Sequence, residues 1–171
     1  MSDVTVRKLN QSDAVAVRDL RLEALRLFSP AFSSSWEEEA TQPLAYWEKR
    51  LCVPARTLGA ESNGCLIATA TVLENSRVKL AHNAEIGGFY VKASLHRKGV
   101  GKRLMQSVME LLRSDEFPSQ VKFATLTVNA SNEAARRLYE SFGFVVCGKL
   151  ESNLSVDGVF YDELFMRARI S

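Results

Sequence analysis

Residues 96–101, His-Arg-Lys-Gly-Val-Gly, have the types and spacing of an anion cradle. They come after the apolar run AEIGGFYV (residues 84–91) and open a stretch with helical apolar spacing. Backbone N–H groups in the first turn of a helix have no intrahelical acceptor, and the helix dipole favours negative charge there. Gly99 and Gly101 remove side chains that would hold a phosphate away from those donors. Arg97, Lys98, Lys102 and Arg103 add positive charge on both sides. The chemistry this suits is the binding of a pyrophosphate. Taken alone, the six residues also fit an ordinary loop into a helix, so the weight falls on the residues downstream.

Downstream lies a second constellation, LTVNASNEAARRLYESFGF, residues 126–144. A β-branched run ends at Asn129, a helix begins near Ser131 or Asn132, and Gly143 ends it. Tyr139 comes seven residues after Asn132, two helical turns on, so both lie on roughly one side of that helix. Strand, phosphate loop, helix, strand, Asn, helix, Tyr and Gly-Phe in this order resemble the GCN5-related N-acetyltransferase (GNAT) superfamily. The resemblance covers most of the chain and is strongest from Glu85 to Phe144. It departs from the family pattern at His96, where Gln or Arg is usual, and at Ala93, where Pro is frequent.

The resemblance implies a fold, a cofactor and roles. The fold is α+β, an α/β/α layering around a mixed, mostly antiparallel sheet with one splayed parallel pair. Acetyl-CoA is the co-substrate and no metal is needed. Its pyrophosphate would lie on Arg97, Lys98, Gly99, Val100, Gly101 and Lys102. Its pantetheine arm would pair with Phe89, Tyr90 and Val91, where a backbone N–H contacts the acetyl carbonyl. Asn132 would bond the pantetheine, with Asn129 beside it among the cofactor-binding residues. Tyr139 would protonate the departing thiolate; an ordinary phenol, with a pKa near 10, keeps its proton at neutral pH. Glu85 matches a glutamate that histone acetyltransferases of the superfamily use as general base, although many members use a water relay. Each role has a structural counterpart: core strand for 89–91, a helix N-cap for Asn132, amphipathic packing for Tyr139 and a solvated carboxylate for Glu85.

The elements that must position these residues can be read from periodicity. Val4 to Leu9 alternates as a strand. Ser12 and Asp13 can cap a helix carrying Val15, Val17, Leu20, Ala24, Leu25 and Phe28. Residues 30–35 break it, and Trp36 with Glu37 to Glu39 reads as a connecting segment. A short helix fits Pro43 to Leu51. Strands at 56–61 and 65–73 flank the Asn63-Gly64 turn. Gly87-Gly88 within the next strand suggests a bulge. Val100, Leu104, Val108, Leu111 and Leu112 share one face of a helix over 99–113. The strand at 121–128 lies between two helices and should pair parallel with the strand before the loop. Ala135, Leu138 and Phe142 should bury the next helix, and a last hairpin turns at Asp157-Gly158. The order is β-α-α-β-β-β-α-β-α-β-β.

Bulk properties fit this reading. One domain over residues 1–171 is the default at this length. The apolar fraction of 46% supports a core, and the net charge of +2 with no dense basic tract argues against nucleic acid. Three scattered cysteines form no metal-binding spacing and suit reduced thiols. No secretion signal or membrane span is apparent, so a cytoplasmic protein is expected. The expected acceptor is a primary amine of a small molecule; a homodimer is left open. Carboxylates at 37–39 and around Tyr161, Asp162 and Glu163 could attract a cationic amine. Acetylation of a protein amine and a non-catalytic acyl-CoA-binding module are the alternatives. Without G-x-x-x-x-G-K-[ST], a P-loop nucleotide site is disfavoured.

Overall fold

The computed structural model describes residues 4–170. Seven strands form one sheet: β1 (Val4–Lys8), β2 (Ala55–Ser62), β3 (Cys65–Glu74), β4 (Asn83–Val91), β5 (Phe123–Asn129), β6 (Val145–Val156) and β7 (Val159–Arg169). Their spatial order is β1-β2-β3-β4-β5-β7-β6. Every neighbouring pair is antiparallel except β4 and β5, as expected for strands separated by a helical crossover. Five helices complete the fold: α1 (Ala14–Leu27), α2 (Trp36–Ala40), α3 (Leu44–Arg50), α4 (Val100–Arg113) and α5 (Glu133–Glu140).

The core is built on α4. Its Val100, Leu104, Met105, Val108, Met109, Leu111 and Leu112 are buried, as the apolar periodicity predicts. They meet a sheet face that is partly alanine: Ala68, Ala70, Ala84 and Ala124 are fully buried. Short side chains on the sheet let long helical ones fill the layer between them. On the opposite face, Leu20 and Ala24 of α1 cover Tyr90. Trp47 of α3 closes a second cluster with Leu9, Ala14 and Leu51.

Three local expectations are corrected. Asn10, not Ser12 or Asp13, caps the turn into α1: its side chain accepts from the Ser12 N–H at 2.9 Å, while Asp13 reaches back to the Asn10 N–H at 2.8 Å. Val15, placed on the apolar face of α1, is 47% exposed. Residues 36–39 are not a connecting segment. Ser35 and Glu38 form a capping box, with bonds of 3.2 Å and 2.7 Å, that nucleates α2. The order therefore gains one short helix before β2.

α2 is held in place by Glu39, which is 2% exposed. Arg21 of α1 donates to it at 2.9 and 3.1 Å, and Arg50 of α3 at 3.2 Å. Burial opposes ionisation of this carboxyl, but the two guanidinium groups outweigh it and hold its pKa below the usual carboxylate range. A carboxylate with a lowered pKa contributes stability above its ordinary pKa, and that contribution is lost as acidification protonates the folded state. Glu39→Gln should lower the unfolding free energy by about 3 kcal/mol at neutral pH, since it leaves Arg21 without its charge partner. Urea titration checks this; a loss below ~0.5 kcal/mol would mean that the cluster behaves as a surface pair.

Candidate active site

The site begins where the parallel ladder stops. β4 and β5 pair only at Asn83↔Phe123, Ala84↔Ala124 and Glu85↔Thr125. Beyond Glu85 the main-chain groups of β4 that point toward β5 have no strand partner among the described residues. On its other side β4 loses register with β3 between Thr69 and Thr71, opposite residues 87–90. This is the bulge suggested by Gly87-Gly88, and Gly88 takes a left-handed φ of +58°. The two strands splay, and a cleft of about 600 Å³ opens between their C-terminal ends. A crevice beyond strand C-termini, at the change of strand direction, is where open α/β sheets bind ligands.

Phe89, Tyr90 and Val91 form one wall of the cleft. Tyr90 turns its side chain away into α1, where its hydroxyl donates to Glu23 at 2.8 Å, so it offers the cleft its main chain. Burial and the neighbouring Glu23 carboxylate raise this phenol's pKa. The opposite wall holds Asn129, Asn132 and Tyr139. Asn129 is committed to structure: it donates to the Pro30 carbonyl at 2.9 Å and accepts from the Ser131 N–H at 2.9 Å. The Asn132 side chain caps α5 by accepting from the Ala135 N–H at 3.1 Å. Its amide N–H₂ group has no protein partner among the described residues, so capping and ligand binding are compatible.

Tyr139 is 6% exposed. Phe89 packs edge-on against its ring at 5.8 Å and Phe144 tilts over it at 6.1 Å. Desolvation raises its pKa, so it holds its proton at any physiological pH. Its hydroxyl bonds to nothing among the described residues, which leaves it available to a ligand in the cleft.

The loop leads from β4 into α4. Gly99 precedes the helix with φ +82°, and no side chain caps the helix start. The N–H groups of Val100, Gly101 and Lys102 therefore have no acceptor among the described residues. Arg97 also has a left-handed φ of +60°, an unusual state for a non-glycine residue that winds the main chain tightly here. Arg97, Lys98 and Lys102 are exposed and form no ion pair among the described residues. Arg103, by contrast, turns to the Val4 carbonyl on β1. Val100 buries its side chain in the core, so only its main chain can serve a ligand. Arg97 and Gly101 line the cleft; Lys98, Gly99, Val100 and Lys102 flank it. A Cβ at Gly101 would stand 3.5 Å from Leu138 and 3.6 Å from Val91, taking cleft space, so the loop fits a ligand that needs the bare backbone.

Two findings differ from the sequence reading. Glu85 is not brought to the cleft: it is exposed, at the level where β4 and β5 are still paired. His96, which the motif left aside, does line the cleft; its Nε2 lies 2.8 Å from the Val91 carbonyl and its ring 5.6 Å from Phe28. Phe28, Ala31 and Phe32, just after α1, close the remaining side. Their apolar spacing signalled only a helix face and its end, since the approach to β4 is a long-range contact.

Comparisons with known proteins agree with this fold. The model of the acetyltransferase (GNAT) family matches residues 21–144. The L-amino acid N-acyltransferase MnaT of Escherichia coli (strain K12) is 23% identical over 168 residues, 98% of this chain and 94% of that protein. The solved structure of a GNAT-family acetyltransferase from Streptococcus pneumoniae superposes with a TM-score of 0.85 at 21% identity, covering 99% of this chain and 100% of that one. The structure of yncA from Salmonella typhimurium with its cofactor acetyl-CoA gives a TM-score of 0.82 at 21% identity, covering 99% of this chain and 95% of that one.

The loop conformation makes a prediction of its own. A Cβ at Gly99 meets nothing within 4 Å, so Gly99→Ala is penalised only by its left-handed backbone. The variant should lose about 1 kcal/mol of unfolding free energy. An unchanged midpoint and slope in urea would show that the loop relaxes freely.

Proposed function

Because the chain belongs to the acetyltransferase (GNAT) family, we propose that it moves an acetyl group from acetyl-CoA to the primary amine of a small molecule. The amine attacks directly, with both substrates bound. The observation that carries this reading is the conjunction, in one cleft, of uncapped N–H groups at the start of α4, the unpaired wall of β4 and an unpartnered tyrosine hydroxyl. A small acceptor is supported by the likeness to a relative named for acting on L-amino acids.

Acetyl-CoA would bring an activated thioester. The main-chain N–H groups of Val100, Gly101 and Lys102 would hold its pyrophosphate, and Arg97, Lys98 and Lys102 would balance the charge. The main chain of Phe89, Tyr90 and Val91 would align the pantetheine arm and polarise the acetyl carbonyl with an N–H. The Asn132 amide would bond the arm from the α5 side, beside Asn129. Tyr139 Oη would deliver its proton to the departing sulfur. Its raised pKa suits a donor that must not ionise before the amine attacks.

Glu85 lies four residues before Phe89, roughly 13 Å along an extended strand. At that distance it reaches the amine only through water, so a water relay is the better path for the proton that leaves the nucleophile. The unpartnered Tyr139 hydroxyl favours catalysis over a purely regulatory acyl-CoA module, which has no use for a buried proton donor at the thioester end.

Two variants test the reading. Gly101→Val places methyl groups in the loop and should weaken acetyl-CoA binding by on the order of 10-fold or more, measured by calorimetric titration. Unchanged affinity in the folded variant would remove the loop from the site. Tyr139→Phe keeps the ring packing and should lower kcat by about 10-fold or more with acetyl-CoA affinity near normal. The loss should exceed that of Glu85→Gln on the same amine. If the Phe variant kept the parent's kcat, Tyr139 would be a packing residue.

A further inference from the structure

Two glutamates are buried among the described residues, Glu39 at 2% exposure and Glu163 at 8%. Their surroundings differ in kind. Glu39 is neutralised by Arg21 and Arg50. Glu163, in β7, accepts a hydrogen bond from the Asn153 side-chain amide and meets no cation among the described residues. A carboxylate taken out of water without a positive partner is costly and rarely kept. Its neighbour Asp162 is in the ordinary state, paired with Lys149 at 2.7 Å and accepting the Ser152 N–H at 2.8 Å. Of the two, only Glu163 lacks a counter-charge.

The strand registers give its place. The parallel ladder sets Glu85 level with Thr125. Four residues further along, Phe89 and Asn129 stand at the splayed ends of β4 and β5, and Asn129 pairs with Glu163. Residues directly opposite in an antiparallel pair point to the same face. Glu163 therefore shares the face of Asn129, a residue that lines the cleft and ties it to Pro30; Glu163 itself stands one strand beyond the lining, at the cleft's edge. Glu163 lies at the level of Phe89, two strands across; Glu85 lies on the order of 13 Å below that level.

We propose that Glu163 binds the acceptor amine as its ammonium and orients it toward the thioester end of the cleft, where the water relay removes its proton before the neutral nitrogen attacks, so that the enzyme selects amines that arrive as cations. Asn153 holds Oε2 and leaves Oε1 for the ligand. The inference rests on the transferase reading above and adds to it a residue and a charge requirement for the acceptor.

The test uses the full chain with a panel of L-amino acids, aliphatic primary amines and polyamines. Acetyl-CoA titration of parent and Glu163→Gln comes first, since it reports on the cofactor site alone and should give equal affinities. Gln keeps the bond from Asn153 and the side-chain shape, so thermal unfolding should show no loss of stability. On the best acceptor, Glu163→Gln should raise KM for the amine by on the order of 10-fold or more, with KM for acetyl-CoA within about 2-fold, and Glu163→Asp should restore part of the loss. Calorimetric titration of the same amine into the CoA-bound protein should show the same weakening. An unchanged amine KM, or an equal rise in both KM values, would overturn the assignment. So would tight acetyl-CoA binding with no amine bound or turned over across the panel, whereas failure of acetyl-CoA itself to bind would instead overturn the cofactor reading.

Discussion

The structure depends on the early end of one parallel ladder. Three residue pairs join β4 to β5, and then the strands part. Gly88, in a left-handed conformation inside a bulge, lets β4 keep its pairing with β3 while its other edge turns free. Had the ladder run on to Val91 and Asn129, the wall that faces the cleft would be ordinary sheet interior. Opening it exposes the unpaired edge of β4, and the starts of both α4 and α5 stand at the mouth. The aromatic contacts of Tyr139 with Phe89 and Phe144 fill the layer just beneath the opening. They support its floor without closing it.

Charge is distributed so that the site, and not the molecule as a whole, carries the field. The net charge of +2 attracts little by itself. Most cations elsewhere are committed: Arg7 to Asp13 and Glu61, Arg21 and Arg50 to Glu39, Arg103 to a carbonyl. Arg97, Lys98 and Lys102 have no ion-pair partner among the described residues and stand beside a helix start whose own dipole is positive. At the other end of the cleft stands the protonated phenol of Tyr139, and beside the lining residue Asn129, one strand further out, lies Glu163, which has no cationic partner among the described residues. On the proposed reading, an anionic cofactor and a cationic acceptor would be drawn to opposite ends of this region.

Much of this was legible in the chain. The α4 face, the two Gly-containing hairpin turns, the parallel crossover and the bulge at Gly87-Gly88 all derive from short-range periodicity and glycine chemistry. The element most easily missed was α2. Five residues are too few for a periodic signal, and its Glu-Glu-Glu run reads as solvated surface; yet Ser35 and Glu38 carry the spacing of a capping box. The same run hides Glu39, because burial beside Arg21 and Arg50 is decided by helices that meet only in three dimensions. Glu85 illustrates the reverse. The family resemblance marks it as a candidate base, but the level at which the ladder opens decides reach, and no local pattern encodes that level. Phe28, Ala31 and Phe32 close the cleft through contacts with strands more than fifty positions away, beyond any local pattern.

The most direct test of the account is a crystal structure of the protein with acetyl-CoA. The pyrophosphate oxygens should lie about 3 Å from the main-chain N atoms of Val100, Gly101 and Lys102, with the pantetheine arm running along Phe89 to Val91 between the parted strands. A complex in which the cofactor lies elsewhere, or in which β4 and β5 have zipped together over those residues, would contradict it.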